Sequence, residues 1–124
     1  MNGNNIFIDT NIALYLLSGD KTIQHILNQK TVFLSFVSEL ELLSYKKLTL
    51  QDILKIDLFL ADVAIIDLNA EIKKITIELR KTYSLKLPDA IIAASSYHLN
   101  CPFLTADKKL SNISELDILL YQVN

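Results

Sequence analysis

Four acidic residues of the chain could supply the carboxylates of one reactive site: Asp9, Glu41, Asp89 and Asp107. Asp9 directly follows residues 6–8, which have the composition of a buried strand, and Asp107 follows a second strand-like segment, 102–105. In an open parallel sheet the carboxyl ends of the strands share one edge, and ligands bind there. Asp9 and Asp107 are therefore predicted to lie at the same edge of the sheet.

The other two acids fall in helical patterns. Asp89 precedes the run AIIAASSY, which is typical of a buried helix, so its carboxylate would lie at the positive end of the helix dipole. At about 100° per residue, Glu41 shares a helix face with Val37, whereas Glu39 points about 160° away from it. We therefore expect Glu41 to face the interior and Glu39 to face solvent.

Each acid has a simpler explanation when it is taken alone. The three aspartates stand where Asp commonly caps a helix or turns the chain, and Glu41 could pair with a lysine or with Arg80. Taken together, four carboxylates at one edge would repel one another strongly unless a cation lay between them. Cys101 and only two histidines cannot form a sulfur or imidazole cluster, so any metal would have oxygen ligands. Such ligands favour Mg²⁺ or Mn²⁺.

Polar residues beside the acids could support such a site. Thr10, Asn11 and Thr105 carry hydroxyl or amide groups that could orient the carboxylates, and helix capping explains these residues equally well. The tyrosines stand at helical spacings that are more typical of a core than of a surface for stacking bases, and none is assigned to a ligand.

Five strands and six helices are predicted to position these residues. Runs rich in Ile, Val, Leu and Phe favour buried strands, and helical patterns alternate with them, which indicates an α/β fold with helices on both faces of a parallel sheet. No linker or repeat divides the 124 residues, so one domain over 1–124 is expected. The predicted strands are 6–8, 32–35, 63–67, 102–105 and 117–121, and the predicted helices are 11–18, 22–29, 37–47, 50–60, 70–83 and 89–98.

Composition and charge restrict the class of protein. Hydrophobic residues make up 51% of the chain, yet no apolar run approaches the roughly 18 to 20 residues that span a bilayer. The first twenty residues lack an early positive charge and carry Asp9 in their apolar part, unlike a secretory signal. A cytoplasmic protein without membrane association is expected. Because the net charge is −2, nucleic acid would have to bind through local basic patches or metal ions.

Four blocks of the sequence resemble the motifs of PIN-domain ribonucleases, and more narrowly those of VapC-like toxins from type II toxin–antitoxin pairs. The block IDTN around Asp9 is similar to the opening D-T-N/S motif, and SELELL is similar to T/S-x-x-E-L-L, which maps the second acid to Glu41 rather than Glu39. LPDAIIAA resembles the third block, and LTAD resembles the terminal T-x-D/N. The order and spacing agree across essentially the whole chain. Basic residues follow Asp107 where many relatives place another acid.

The resemblance implies a PIN-like three-layer α/β/α fold with a central, mainly parallel five-stranded sheet. It implies Mg²⁺- or Mn²⁺-dependent endonucleolytic cleavage of RNA by an activated water, which would leave 5′-phosphate and 3′-hydroxyl ends. Cognate antitoxin binding and homodimerisation are also implied. Lys86 and Lys108 stand nearest to the mapped acids and are the candidates for binding RNA. The predicted catalytic and metal-binding residues are Asp9, Glu41, Asp89 and Asp107, with Asp9 and Asp89 as the main ligands.

Other classes of protein fit the sequence less well or only in part. A receiver domain would need adjacent acids after the first strand and a phosphoacceptor at the end of a strand, but Asp57 falls in a helical pattern. Two glycines cannot supply a glycine-rich phosphate-binding loop. A catalytically weak PIN domain that serves as an RNA-processing or scaffold module would suit the high apolar content equally well, and this alternative stays open.

Overall fold

Five strands and seven helices form within residues 4–122, the part of the chain that the computed structural model describes. None of the helices in this part is long and apolar enough to cross a bilayer. The elements in chain order are β1 (Asn5–Ile8), α1 (Thr10–Leu17), α2 (Lys21–Leu27), β2 (Thr31–Ser35), α3 (Phe36–Leu43), α4 (Leu50–Asp62), β3 (Ala64–Ile66), α5 (Ala70–Thr82), α6 (Leu87–Leu99), β4 (Phe103–Thr105), α7 (Lys108–Ser111) and β5 (Ile118–Leu120).

The strands form one sheet in the order β3-β2-β1-β4-β5, and each neighbouring pair is parallel. β1 lies at the centre, where Ile8 is in register with Leu34 of β2 and with Leu104 of β4. The predicted five-stranded sheet is confirmed, and all of its described pairs are parallel. The carboxyl ends of the strands therefore meet at one edge, as a binding site built from loops and helix starts requires.

Helices cover both faces of the sheet because the apolar strand residues alternate between the faces. Phe7 lies in a core beneath α5 and α6, where its ring meets that of Phe103 edge-on with centroids 5.6 Å apart. Ile6 and Ile8 point the other way, into a second core formed with α1, α2 and α4. Two apolar cores on opposite faces of one sheet make up the predicted three-layer α/β/α architecture.

Two differences from the predicted helices have local causes. The third helix ends at Leu43 rather than at residue 47, because Ser44 caps it: its backbone N–H donates to the Glu41 carbonyl and its hydroxyl donates to the Leu40 carbonyl. Thr49 then begins α4 with a capping box in which Thr49 and Asp52 bond to each other's backbone N–H. The one-turn helix α7 was missed, because four residues are too few for a periodic apolar pattern. Asp57 lies within α4, so it does not stand at the end of a strand as the phosphoacceptor of a receiver domain would.

Candidate active site

A small cavity of about 160 Å³ opens at the carboxyl edge of the sheet, and all four predicted acids line it. Asp9 follows β1, Glu41 lies on α3, Asp89 lies in the first turn of α6 and Asp107 follows β4. The structure thus brings together side chains that are as much as 98 residues apart in sequence (from 9 to 107). The other residues that line the cavity are Thr10, Asn11, Tyr45, Ile92 and Leu110.

Asp9 is the most buried of the acids, with 5% of its surface exposed. It caps α1, since Oδ1 accepts a hydrogen bond from the Ile12 N–H at 3.0 Å, and Oδ2 accepts one from the Thr105 hydroxyl at 2.5 Å. Burial raises the pKa of Asp9, and these two hydrogen bonds oppose the rise while the charges of Asp107 and Asp89 add to it. The capping role and a place in the cavity are therefore compatible.

Thr105 connects two of the acids. Its side chain is fully buried on β4, beside β1. The hydroxyl donates to Asp9 and accepts a hydrogen bond from the Asp107 N–H at 3.0 Å. A single hydroxyl thus fixes the position of one carboxylate and the backbone that carries another. Thr105 therefore orients a carboxylate, as predicted, in addition to the capping role that the sequence also allowed.

Glu41 lines the cavity, but the prediction that it faces the apolar interior was wrong. Its side chain is exposed and Glu39 is half-buried. Val37, one turn earlier on the same face, is buried, but α3 ends two residues after Glu41, so the face that they share runs out of the core and into the cavity mouth. Helical angle identifies residues on one face without identifying what covers that face.

A second hydroxyl holds Glu41 in place. Thr10, the first residue of α1, donates to Glu41 Oε1 at 2.5 Å, and its oxygen lies 2.8 Å from the hydroxyl oxygen of buried Ser38. Asn11 lines the cavity with an exposed side chain. Of the three predicted supporting residues, Thr10 and Thr105 bond directly to carboxylates.

Asp89 does not cap its helix, because the cap position of α6 is Lys86. Its half-buried carboxylate has a pKa raised by burial and by the charges of Asp107 and Glu41, while Lys86 and Lys109 lower it. Asp89 therefore interacts electrostatically with acids contributed by α3 and by the β4–α7 junction. With the coupling of Asp9 to Asp107 and Asp89, all four carboxylates form one charged group.

Asp107 has a capping role similar to that of Asp9. Its Oδ1 accepts a hydrogen bond from the Lys109 N–H at 2.9 Å at the start of α7, and its side chain lines the cavity. The turn or cap role that the sequence allowed for Asp107 is therefore present together with the predicted place beside the other acids.

The donor set of the cavity fits a hard divalent cation that keeps part of its water shell. Within residues 4–122, no three His, Cys, Asp or Glu side chains are grouped closely enough to hold one ion between them. Mg²⁺ commonly binds through one or two carboxylates and retains several waters, so joint contact by three acids is not required. The raised pKa values of Asp9 and Asp89 reflect burial and repulsion that a cation would offset.

Two residues of the cavity region were missing from the predicted site. Tyr45 lines the cavity, but an aromatic residue at helical spacing resembles a core residue. The charge of Lys109 lowers the pKa of Asp89, and no sequence pattern distinguished Lys109 from Lys108. Lys108 lines a separate cavity with Tyr15 and Tyr121, and its role in RNA binding stays a prediction.

Comparison with known proteins places this architecture among related folds. A family model described as PIN domain matches residues 6–116. VapBC2 from Rickettsia felis, bound to a DNA fragment from its promoter, is 23% identical with a TM-score of 0.85 over 95% of this chain and 99% of that chain. A toxin–antitoxin complex from Klebsiella pneumoniae is 26% identical with a TM-score of 0.81 over 95% and 99%. VapBC-1 from nontypeable Haemophilus influenzae is 22% identical with a TM-score of 0.77 over 94% and 97%. A comparison with curated proteins finds no match.

Proposed function

The chain belongs to the PIN domain family, and we propose that it is a metal-dependent endoribonuclease, the toxin of a VapBC-type toxin–antitoxin pair. The observation that carries this proposal is the cavity at the carboxyl edge of the sheet, which is lined by Asp9, Glu41, Asp89 and Asp107. Coupled carboxylates around an opening of this size provide oxygen ligands for Mg²⁺ or Mn²⁺.

Asp9 and Asp89 are the proposed main ligands, because burial and neighbouring carboxylates raise the pKa of both, and a bound cation would offset that cost. A divalent cation bound there would lower the pKa of a coordinated water and neutralise charge on the phosphoryl oxygens. Thr105 and the Ile12 N–H hold the Asp9 carboxylate in one orientation, which reduces the reorganisation needed when a ligand binds.

Glu41 and Asp107 are proposed to act at the rim of the same cavity, directly or through water. Glu41 is exposed and its Oε1 is held by Thr10, so its other oxygen can accept a proton from the attacking water. Attack on phosphorus with departure of the 3′-oxygen would leave 5′-phosphate and 3′-hydroxyl ends. No side chain needs to form a covalent bond to the substrate.

An antitoxin partner and a homodimer belong to the same proposal. The Klebsiella pneumoniae structure, at 26% identity, is described as a toxin–antitoxin complex. Helix α4 exposes a leucine row at spacings of four residues, Leu50, Leu54 and Leu58, and such apolar rows mark protein interfaces. A small neighbouring reading frame that encodes a DNA-binding protein would support the presence of an antitoxin. An isolated gene would favour a role of this PIN domain in RNA processing.

The proposal is tested by incubating RNA with the purified protein and Mg²⁺ or Mn²⁺, with and without EDTA. We expect cleavage that EDTA abolishes and that Asp9→Asn and Asp89→Asn each reduce by about 10²- to 10⁴-fold. Asp57→Asn, which removes the same charge from an exposed site on α4, should cleave like the wild type. Equal cleavage by all versions, or none by the wild type, would contradict the nuclease proposal, and the latter result would favour a scaffold module.

A further inference from the structure

A second, larger opening lies where α5 ends and α6 begins. It has a volume of about 660 Å³ and is an open groove rather than a closed pocket. Three of its lining residues, Arg80, Lys81 and Lys86, are basic, and none of the described residues that line it is acidic. In a chain with a net charge of −2, a groove with three cations and no lining carboxylate is a local site for an anion.

The stability of the fold does not account for all three cations. Arg80 and Lys81 stand in the last turn of α5, where the helix dipole favours positive charge. Lys86 stands at the opposite kind of end, at the cap of α6, where the dipole opposes a cation and where Ser, Thr, Asp or Asn is preferred. No side chain caps this helix start through a hydrogen bond. The helix dipole and helix capping therefore do not explain a lysine at position 86, and its charge instead offsets part of the charge of nearby Asp89.

The groove has a fixed wall. Arg80 Nε donates a hydrogen bond to the Leu85 carbonyl at 3.3 Å, which ties the guanidinium to the segment that leads into α6. Tyr83 also lines the groove, and its hydroxyl donates to Glu115 at 2.5 Å. These contacts hold one cation and one aromatic ring in place, which lowers the entropy lost when a ligand binds.

The groove adjoins the acidic cavity through the first turn of α6. Lys86 lines the groove and Asp89, three residues later, lines the cavity. Three residues of a helix span about 4.5 Å along its axis, so Lys86 and Asp89 lie within one helical turn of each other. A strand that presents a phosphate to the acids can therefore present its next phosphates to the basic side chains.

We propose that the groove formed by Arg80, Lys81 and Lys86 binds the phosphates of single-stranded RNA next to the bond that is cut. This inference rests on the proposed ribonuclease function and extends it to a path for the substrate. The adjoining acidic cavity, at about 160 Å³, has room for one phosphate group.

The test measures binding of a fluorescein-labelled single-stranded RNA oligomer in EDTA, where no cleavage occurs, over a series of salt concentrations. The variant Lys81→Ala/Lys86→Ala is compared with Lys73→Ala/Lys74→Ala, which removes two exposed lysines from α5 outside the groove. We expect the groove variant to bind about tenfold more weakly and the slope of log K against log salt to fall by about 1.4, since each phosphate contact to a single strand contributes about 0.7. The control should keep the affinity and slope of the wild type.

A second variant guards against an effect on folding. Arg80→Ala removes the third cation and should weaken binding with a slope change of about 0.7, while Lys81→Ala/Lys86→Ala leaves the Arg80–Leu85 hydrogen bond intact. Two results would overturn the groove assignment: equal RNA binding by the groove variants and the control, or a wild type that does not bind RNA. Neither result would bear on the nuclease proposal, which the cleavage assay tests separately. Loss of cleavage by the wild type with groove-dependent binding intact would contradict the nuclease proposal alone.

Discussion

Asp9 combines a structural role with a proposed ligand role in one side chain. As a helix cap, its position could be filled by Ser, Thr or Asn without placing a negative charge where only 5% of the side chain is exposed. The carboxylate is raised in energy by burial and by the nearby charges of Asp107 and Asp89, and its two hydrogen bonds offset only part of this cost. Capping alone therefore does not explain an aspartate here, whereas the proposed binding of a cation would.

Thr105 is predicted to act as a positioning residue through Asp9. Thr105→Val keeps the shape of the side chain but removes the hydroxyl that donates to Asp9 and accepts from the Asp107 N–H. We expect kcat for RNA cleavage to fall about 10- to 100-fold and the stability to fall by about 1 kcal/mol. Because the lost bond lowers the pKa of Asp9, the acidic limb of the pH–rate profile should move to higher pH.

Thr105→Ser is the matched control, because it restores the hydroxyl and not the methyl group. It should recover most of the cleavage rate and the pH profile of the wild type. A Thr105→Val enzyme that loses stability but keeps the rate and pH profile of the wild type would show that the hydroxyl serves the fold only.

Helix α3 shows what a periodic pattern can and cannot predict for an element. The spacing in SELELL separates Glu41 from Glu39 correctly, since Glu41 and not Glu39 lines the cavity. The burial predicted for the two residues was nevertheless reversed, because burial depends on where α3 ends relative to the sheet. Periodicity gives relative direction along a helix, and tertiary packing gives burial.

The two glutamates of α3 provide a prediction at this scale. Glu41→Gln removes the charge that lies at the cavity and should reduce RNA cleavage by about 10²-fold or more. Glu39→Gln removes an identical charge from the same helix and should leave the rate within about twofold of the wild type, because Glu39 does not line the cavity. Both rates are measured at saturating Mn²⁺ with circular dichroism to confirm folding. Similar losses in the two variants would point to an effect of α3 rather than of the site.

At the scale of the whole molecule, the sheet explains why the sequence predicts so much of the architecture. Each strand is short and apolar, and the strands alternate with helices, so the existence of all five strands and their positions along the chain could be predicted from pattern alone. Because parallel strands end at one edge, the meeting of Asp9 and Asp107 also followed from topology. The positions of Tyr45, Ser38 and Lys109 did not, since they depend on packing between elements that are remote in sequence.

The buried acids also affect global stability. The pKa values of Asp9 and Asp89 are raised in the folded chain, so between the ordinary value of 3.8 and the raised values the native state holds more protons than the unfolded state. In the absence of divalent cations the contribution of these groups to stability therefore falls as the pH rises through that window, and the full cost is present at neutral pH.

Asp9→Asn should remove its share of this cost while its amide oxygen still caps α1. In EDTA at pH 7 the variant should have a Tm equal to or above that of the wild type, and the difference should shrink as the pH falls towards 4. Added Mn²⁺ should raise the Tm of the wild type by the equivalent of about 2.7 kcal/mol at one hundred times Kd, and that of the variant by much less. A variant that is clearly less stable than the wild type in EDTA at pH 7 would contradict the assigned electrostatic cost.

The central claim is that the four carboxylates at the carboxyl edge of the sheet bind a divalent cation, and calorimetric titration of Mn²⁺ into the protein at pH 7 tests it most directly. The account predicts saturable binding by the wild type and by the Asp57→Asn control. It predicts that the affinity for Mn²⁺ falls by about 10- to 100-fold or more in Asp9→Asn and in Asp89→Asn, since even the loss of a residue that supports a metal ligand has an effect of that order. Absence of saturable binding by the wild type, or equal affinity in all four proteins, would contradict it.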